Sequence, residues 1–163
     1  MVEIKNDSEL GFVCGICDFG FSNIIGSGRS LASGLIRPTE IGVSVRYAAP
    51  EVILQLIQNN NTSSLSRRCE GDKKIDIYAY SMILFDCVVG KEAWKDMSYT
   101  EIATAVVNGR RPTFPTDEDK SDISMTRYRK QFMESMIISC WNQSAVLRPM
   151  AKDILDSLLS YSV

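Results

Sequence analysis

The spacing of apolar and polar residues predicts a short β-hairpin at the start of the chain, followed by a polar loop. Residues 2–5 form a short β-prone run, residues 12–17 form a second, apolar run, and the turn residues Asn6-Asp7-Ser8-Glu9 lie between them. From Phe21 to Gly42 the chain is rich in Ser and Gly and has no sustained period, which is typical of a surface loop. Pro50 then precedes a run of helical composition at 51–58, with Pro at a first-turn position that tolerates it.

The longest apolar run predicts the central helix of the fold. Residues 75–89 are apolar at twelve of fifteen positions, and the polar exceptions do not form one stripe, so we expect a helix buried on all sides. Fifteen residues rise only about 22 Å, and charges at Asp76 and Asp86 would be costly in lipid, which argues against a membrane span. The polar stretch before it, about 59–74, predicts an exposed insertion.

Three further helices are predicted from capping signals and apolar periodicity. Ser98-Tyr99-Thr100-Glu101 has the form of a capping box and begins a helix at 98–108 that Gly109 ends. Residues 127–141 carry apolar side chains at helical spacing, and residues 113–124 before them read as a polar loop. The last helix is expected to begin at Pro149 and to bury the stripe Ile154, Leu155, Leu158 and Leu159.

Composition indicates a single folded domain and excludes several functions. The 163 residues are 45% hydrophobic, and 18 basic against 20 acidic residues give a net charge of −2. Lys and Arg never run beyond two residues, so nucleic acid is not an expected partner. The chain contains no histidine, which excludes Ser-His-Asp and Cys-His hydrolases and His-ligated zinc sites. Five cysteines cannot all pair, and no basic region leads into an apolar stretch at the N-terminus, so we expect a cytoplasmic protein.

Cys14 and Cys17 have a spacing found in metal and redox motifs, but they lie in the second apolar run. Along a strand, residues an odd number apart point to opposite faces, so the two sulfurs are poorly placed to chelate one ion. A zinc or redox role and a role as small strand hydrophobes are both open, and the sequence favours the second. Trp94 and Trp141 are interpreted as core aromatics.

Four motifs occur in order along the chain: Cys17-Asp18-Phe19-Gly20-Phe21-Ser22, Val45-Arg46-Tyr47-Ala48-Ala49-Pro50-Glu51, Asp76-Ile77-Tyr78-Ala79-Tyr80-Ser81, and Cys140-Trp141 with Arg148-Pro149. Through them the chain resembles the eukaryotic protein kinases, and in particular the tyrosine-kinase-like Ser/Thr group. The order and spacing are specific, although each motif alone is weak. The resemblance covers almost all of residues 1–163, as one partial kinase domain. It implies a mainly α (α+β) fold, the helical C-terminal lobe of a kinase with a small N-terminal β-hairpin.

The resemblance also implies roles for individual residues. Asp18 would bind Mg²⁺, with Phe19 and Gly20 completing the cofactor motif next to ATP, and residues 18–51 would be the activation segment. Ser44 and Tyr47 would belong to the loop that receives the protein substrate. Pro50, Glu51, Asp76 and Arg148 would be structural anchors, with Glu51 and Arg148 as a buried ion pair and Asp76 accepting backbone N–H groups or sitting at a helix N-terminus.

The 163 residues lack three parts of the kinase machinery. A Gly-rich loop, a strand Lys paired with a helix Glu, and the catalytic-loop Asp do not occur before Asp18. We therefore expect a protein kinase by family that uses ATP and Mg²⁺ and acts on Ser/Thr, with dual or Tyr specificity as the alternatives. Because these three parts are missing, we expect the isolated 163 residues to be inactive. The alternative is a non-catalytic, pseudokinase-like docking module that binds a protein partner through the helix at 98–108.

Overall fold

A computed structural model of the chain describes residues 45–59, 72–116 and 127–161. These residues are predominantly helical, which confirms the predicted fold class. The predicted hairpin at 2–17 and most of the predicted activation segment lie outside the described residues. The helices are α1 (Pro50–Asn59), α2 (Asp72–Val89), α3 (Tyr99–Val107), α4 (Arg127–Cys140) and α5 (Ala151–Tyr161), with 3-10 turns at Val45–Tyr47 and Ala145–Leu147.

Helix α2 is the centre of the described fold and separates two groups of buried side chains. Tyr78, Met82 and Phe85 face the larger core, which also receives residues from α1 and α3. Ile77 faces a smaller cluster built with α4 and α5. Ser81 is fully buried among them, and its hydroxyl donates to the Tyr78 carbonyl at 2.6 Å, so the helix buries this polar side chain without losing a hydrogen bond.

The prediction that α2 is buried on all sides is wrong. Asp76, Ile83 and Cys87 are exposed, and the side chain of Ile83 retains 54% of its accessible surface. Their spacing of seven and four residues places them on one side of the helix, which the other described helices do not cover. Asp76 is the charged member of this side, whereas Ile83 and Cys87 are apolar and give no sign in the sequence that they are exposed.

The predicted insertion at 59–74 is too long at both ends. Asn59 is the last residue of α1, and α2 begins at Asp72 rather than at residue 75. Lys74 is half-buried in the first turn of α2, and its backbone carbonyl accepts a hydrogen bond from Arg148. Residues 60–71 lie outside the described part of the chain. Tertiary contacts therefore extend the helix into polar sequence that has no apolar period of its own.

Helix α3 confirms the predicted capping box. The Ser98 backbone N–H donates to Glu101 Oε2 at 2.8 Å, and the Glu101 N–H donates to Ser98 Oγ at 3.4 Å. Ile102 and Val106 are buried as predicted. The helix ends before Gly109, whose φ of +78° lies in the left-handed region that glycine adopts without a steric penalty.

Helices α4 and α5 pack against each other and against α2. Met136 and Cys140 on α4 and Ile154 on α5 are buried with Ile77, as predicted for α4. At the other end of the contact, the ring of Phe132 stacks on Tyr161 with centroids 4.2 Å apart.

The buried stripe predicted for α5 is only half correct, and the helix begins at Ala151 rather than at Pro149. Ile154 is buried and Leu158 is half-buried, but Leu155 and Leu159 are 54% and 58% exposed. Adjacent residues of a helix are rotated by about 100°, so Leu155 and Leu159 point away from the contact that buries their neighbours. Helix α5 therefore presents an apolar edge to solvent.

The two tryptophans lie in or against the core, as the sequence predicts. Trp141 is buried, with its ring 5.7 Å from Phe85 and 5.6 Å from Phe114. Trp94 is partly buried against the same core, and it adopts a φ of 59°. Among the described residues, none of the helices has the length and apolar content required to cross a membrane.

Candidate functional site

Arg148 and Glu51 form a forked ion pair at the base of the described fold. Arg148 NH1 donates to Glu51 Oε1 at 2.7 Å, and NH2 donates to Oε2 at 2.8 Å. Glu51 is the second residue of α1, and Arg148 follows the 3-10 turn that leads to α5. Two parallel charge-assisted bonds fix both the distance and the orientation of the two groups. The pair thus joins the start of α1 to the segment between α4 and α5.

The guanidinium of Arg148 is fully buried and has further partners on the backbone. Nε donates to the Asn142 carbonyl at 2.9 Å, and NH1 also donates to the Lys74 carbonyl at 2.9 Å. Lys74 in turn donates its ammonium hydrogen to the Arg148 carbonyl. The Arg148 side chain has no accessible surface, whereas Glu51 keeps 26%. A buried charge requires such a set of partners, because an unpaired ion in the interior is strongly destabilising.

The residues just before Glu51 are also held in place. Pro50 is fully buried and opens α1, and the Ala49 carbonyl accepts from the N–H groups of Val52 and Ile53 at 3.0 and 3.1 Å. Pro at this position loses no hydrogen bond, since a first-turn N–H has no partner within the helix. The motif Ala49-Pro50-Glu51 is therefore a rigid corner of the structure.

A second polar network holds Arg46 and Tyr47, shortly before this corner. Tyr47 donates its hydroxyl to Asp86 Oδ2 at 3.1 Å, and the backbone N–H of Ala93 donates to Asp86 Oδ1 at 2.6 Å. Arg46 donates to the Ala93 carbonyl at 2.8 Å and lies 3.3 Å from Glu92. Burial and then the neighbouring Asp86 carboxylate raise the pKa of Tyr47, so its hydroxyl is protonated and able to donate at neutral pH.

Tyr78 lies beside the ion pair. Its ring centroid is 5.2 Å from the guanidinium carbon of Arg148 and 5.1 Å from that of Arg111. The residue is fully buried, and its hydroxyl has no hydrogen-bond partner among the described residues. Burial raises the pKa of Tyr78 to about 12, so the side chain is neutral at physiological pH.

The structure brings together some of the residues that the sequence singled out. Glu51 and Arg148 are paired as predicted, and Tyr47 lies at the adjoining corner. Asp76 is exposed and is the fifth residue of α2, not a residue at its N-terminus, and its predicted role stays a prediction. Asp18, Phe19, Gly20 and Ser44 lie outside the described residues. Within the described ranges, no group of three or more Cys, Asp or Glu side chains is arranged to hold a metal ion.

Sequence reasoning missed three residues that build this site. Asp86 was noticed only as a polar exception in an apolar helix, and such an exception was the signal for its buried contacts with Tyr47 and Ala93. The sequence predicts no role for Arg111, and Tyr78 appears in it only as part of a motif. Nothing in their local sequence indicates that the Tyr78 ring lies beside two guanidinium groups.

Comparison with known proteins gives one family over nearly the whole chain. The family model described as "Protein kinase domain" matches residues 4–159. The serine/threonine-protein kinase VIK of Arabidopsis thaliana is 28% identical over 141 residues, which are 86% of this chain and 26% of that protein. A probable LIM domain-containing serine/threonine-protein kinase of Dictyostelium discoideum is 26% identical over 151 residues, 93% of this chain and 18% of that protein.

A further relative has the same kind of name. The RGS domain-containing serine/threonine-protein kinase A of Dictyostelium discoideum is 26% identical over 134 residues, which are 82% of this chain and 9% of that protein. The chain thus spans about a quarter or less of the length of these curated relatives.

Proposed function

This chain belongs to the protein kinase domain family, and from that premise we propose that it supplies the magnesium ligand and the substrate-binding loop of a Ser/Thr protein kinase. The reaction is transfer of the γ-phosphoryl group of ATP to a protein hydroxyl. Protein kinases use ATP with Mg²⁺ and act on protein substrates.

The forked ion pair between Glu51 and Arg148 is the observation that carries the proposal. Phosphoryl transfer depends mainly on positioning and on charge neutralisation, so the loop that receives the substrate must be held rigidly. The pair holds the end of that loop at 2.7 and 2.8 Å, on a cation with no accessible surface. A buried ion pair would serve little purpose at the end of an ordinary surface loop, but it suits a loop that must hold a protein substrate in one position.

Tyr47 and Ser44 are the proposed substrate-loop residues. The hydroxyl of Tyr47 is fixed by Asp86, so the backbone of the loop is fastened to the end of α2 as well as to Arg148. The Ser/Thr assignment is supported by the names of the relatives, which are all serine/threonine-protein kinases, and by the hydroxyl residue at position 44.

Asp18 is the proposed magnesium ligand, with Phe19 and Gly20 beside it in the same motif. A carboxylate is the kind of oxygen ligand that Mg²⁺ prefers. The 163 residues contain no Gly-rich loop and no catalytic-loop Asp, so we propose that by themselves they do not phosphorylate protein.

The test is a chimera in which residues 18–163 replace the matching part of the Arabidopsis kinase VIK. We expect the folded chimera to phosphorylate Ser and Thr in a mixed protein substrate with ATP and Mg²⁺, and the Asp18→Ala version to be inactive. VIK itself is the positive control, and thermal melting verifies that both chimeras fold. Phosphate found only on Tyr, or activity that survives Asp18→Ala, would contradict the proposal.

The isolated chain provides the complementary measurement. Incubated with ATP, Mg²⁺ and the same substrate, it should transfer no phosphate above background. Transfer that disappears on Asp18→Ala would show that the 163 residues are sufficient for catalysis.

The second candidate function is a non-catalytic docking module, and the exposed side of α3 favours it. Tyr99, Glu101 and Thr104 are exposed on a helix whose N-terminus is firmly capped. In that case the chain would slow phosphorylation by a complete kinase that shares its partner. Tyr99→Ala would relieve the inhibition, and Asp18→Ala would leave it unchanged.

A further inference from the structure

Arg111 ties the end of α3 to the body of the fold through hydrogen bonds to oxygen acceptors. Nε donates to the Trp141 carbonyl at 2.9 Å, and NH2 donates to Gln143 Oε1 at 2.7 Å. NH1 donates to the carbonyls of Val106 at 3.3 Å and Arg110 at 2.7 Å. Every nitrogen of the guanidinium is thus occupied, and the group is fixed relative to α3 and to the end of α4.

The fixed guanidinium of Arg111 lies over the same ring as that of Arg148. The two guanidinium carbons are 5.1 and 5.2 Å from the Tyr78 centroid, both within the range of a cation–π contact. Two cations this close to one ring repel each other, and burial of Arg111 lowers its pKa as burial disfavours its charge. The negative potential of the ring face offsets part of this cost for both groups.

We propose that Arg111 is a positioning residue that acts through the ring of Tyr78 on Arg148, and so on the Glu51 anchor of the substrate loop. The line of contacts runs from the last turn of α3, through Arg111, Tyr78 and Arg148, to the start of α1. A protein that binds to α3 would displace Arg111, and through Tyr78 and Arg148 it would also displace the substrate loop at the start of α1. Only this consequence rests on the proposed function, because the coupling itself is a property of the folded chain.

The ring of Tyr78, and not its hydroxyl, carries the coupling. The hydroxyl is buried and has no hydrogen-bond partner among the described residues, so Tyr78→Phe removes no hydrogen bond there. Tyr78→Phe therefore keeps the coupling, whereas Tyr78→Leu keeps an apolar side chain but removes the π face. This pair of variants separates an effect of the ring from an effect of packing.

The test is a double-mutant cycle of Arg111→Gln and Glu51→Gln, measured by urea unfolding of the whole chain. The cycle is repeated in three backgrounds: Tyr78, Tyr78→Phe and Tyr78→Leu. In the first two backgrounds, we expect the change that Arg111→Gln makes in the unfolding equilibrium constant to differ about fivefold between the protein with Glu51 and the Glu51→Gln variant. A factor of about five is the size of one partly buried cation–π contact. In the Tyr78→Leu background this difference should fall below about twofold, since only the direct electrostatic attraction between Arg111 and Glu51 remains.

Amide hydrogen exchange gives a second readout that general destabilisation would not produce. Arg111→Gln should speed exchange at Val52 and Ile53, at the anchored start of α1, more than at Ile154 on α5. Arg111→Lys should restore part of the protection, because it keeps the cation over the ring. Arg110→Gln is the matched control, since Arg110 is exposed and should leave the ratio unchanged.

Equal coupling in all three backgrounds would overturn the proposal, and so would equal acceleration of exchange at α1 and α5. If some variants do not fold, the comparison of Tyr78→Phe with Tyr78→Leu in otherwise unaltered protein still decides: the exchange ratio should change only in the second. None of these outcomes depends on phosphoryl transfer, so failure of the proposed function leaves the test intact.

Discussion

Glu51 and Arg148 stand 97 residues apart in the sequence and meet through two hydrogen bonds of 2.7 and 2.8 Å. Arg148 is completely buried, and Glu51 is mostly buried. An ion pair of this kind contributes less to stability than its geometry suggests, because both charges lose their hydration. Its importance lies in the damage done when one partner is removed.

Replacing Glu51 should therefore be strongly destabilising. Glu51→Gln removes the negative charge that pairs with Arg148 and leaves the buried cation with neutral oxygen acceptors, and we expect a loss of about 3 kcal/mol in the free energy of unfolding. Urea unfolding followed by circular dichroism measures it. Glu92→Gln is the matched control, because that carboxylate is half-exposed and pairs with Arg46 at the surface, where the loss should stay below about 1 kcal/mol. Equal losses for the two variants would contradict the buried placement of Arg148.

Tyr78 should make the protein sensitive to alkaline pH. Its folded pKa of about 12 lies above the unfolded value of 10.0, so the folded state holds the proton more tightly. This contribution is present in full below pH 10 and is lost as pH rises from 10 to 12, by on the order of 2 to 3 kcal/mol. Unfolding measured at pH 9 and pH 11 for the natural chain and for Tyr78→Phe isolates it. The variant should lose less stability over this interval, and an identical loss in both proteins would show that Tyr78 titrates normally.

The capping box makes the start of α3 sensitive to one hydroxyl. Ser98→Ala removes the acceptor of the Glu101 N–H, and we expect a loss of about 1 kcal/mol in the free energy of unfolding. Thr104→Ala serves as control, since its hydroxyl bonds the Thr100 carbonyl within the helix and caps nothing. Thermal melting of both variants tests the difference. If Thr104→Ala is the more harmful change, the box is not what holds the helix end.

The apolar edge of α5 should bind hydrophobic dyes without contributing to stability. Leu155→Gln with Leu159→Gln should change the free energy of unfolding by less than about 0.5 kcal/mol per site, because both side chains are exposed. The same change should reduce the fluorescence of a dye specific for apolar surface. Ile154→Ala, one residue away but buried, should cost about 2 to 4 kcal/mol. A large loss from the exposed pair would mean that this edge is covered in solution.

Local signals in the sequence were sufficient for three helices. Pro50 at a first-turn position marked α1, and Ser98 with Glu101 marked α3, because caps act over three or four residues. Apolar spacing located α4 to within one residue of its end. The pairing of Glu51 with Arg148 came from the family resemblance of the motifs, since no local pattern connects residues that far apart.

The packing of the helices against one another decides which apolar side chains are covered and which polar groups meet. Ile83 on α2 and Leu155 on α5 have the composition of core residues, yet each lies on a side that no described helix covers. The contacts of Asp86 with Tyr47, and of Arg111 with Tyr78, join segments that are distant in the chain. Apolar periodicity predicts that a helix has an apolar side, and capping residues predict where the helix ends. Whether that side is buried depends on the elements that pack against it, and the sequence of a single helix does not specify those elements.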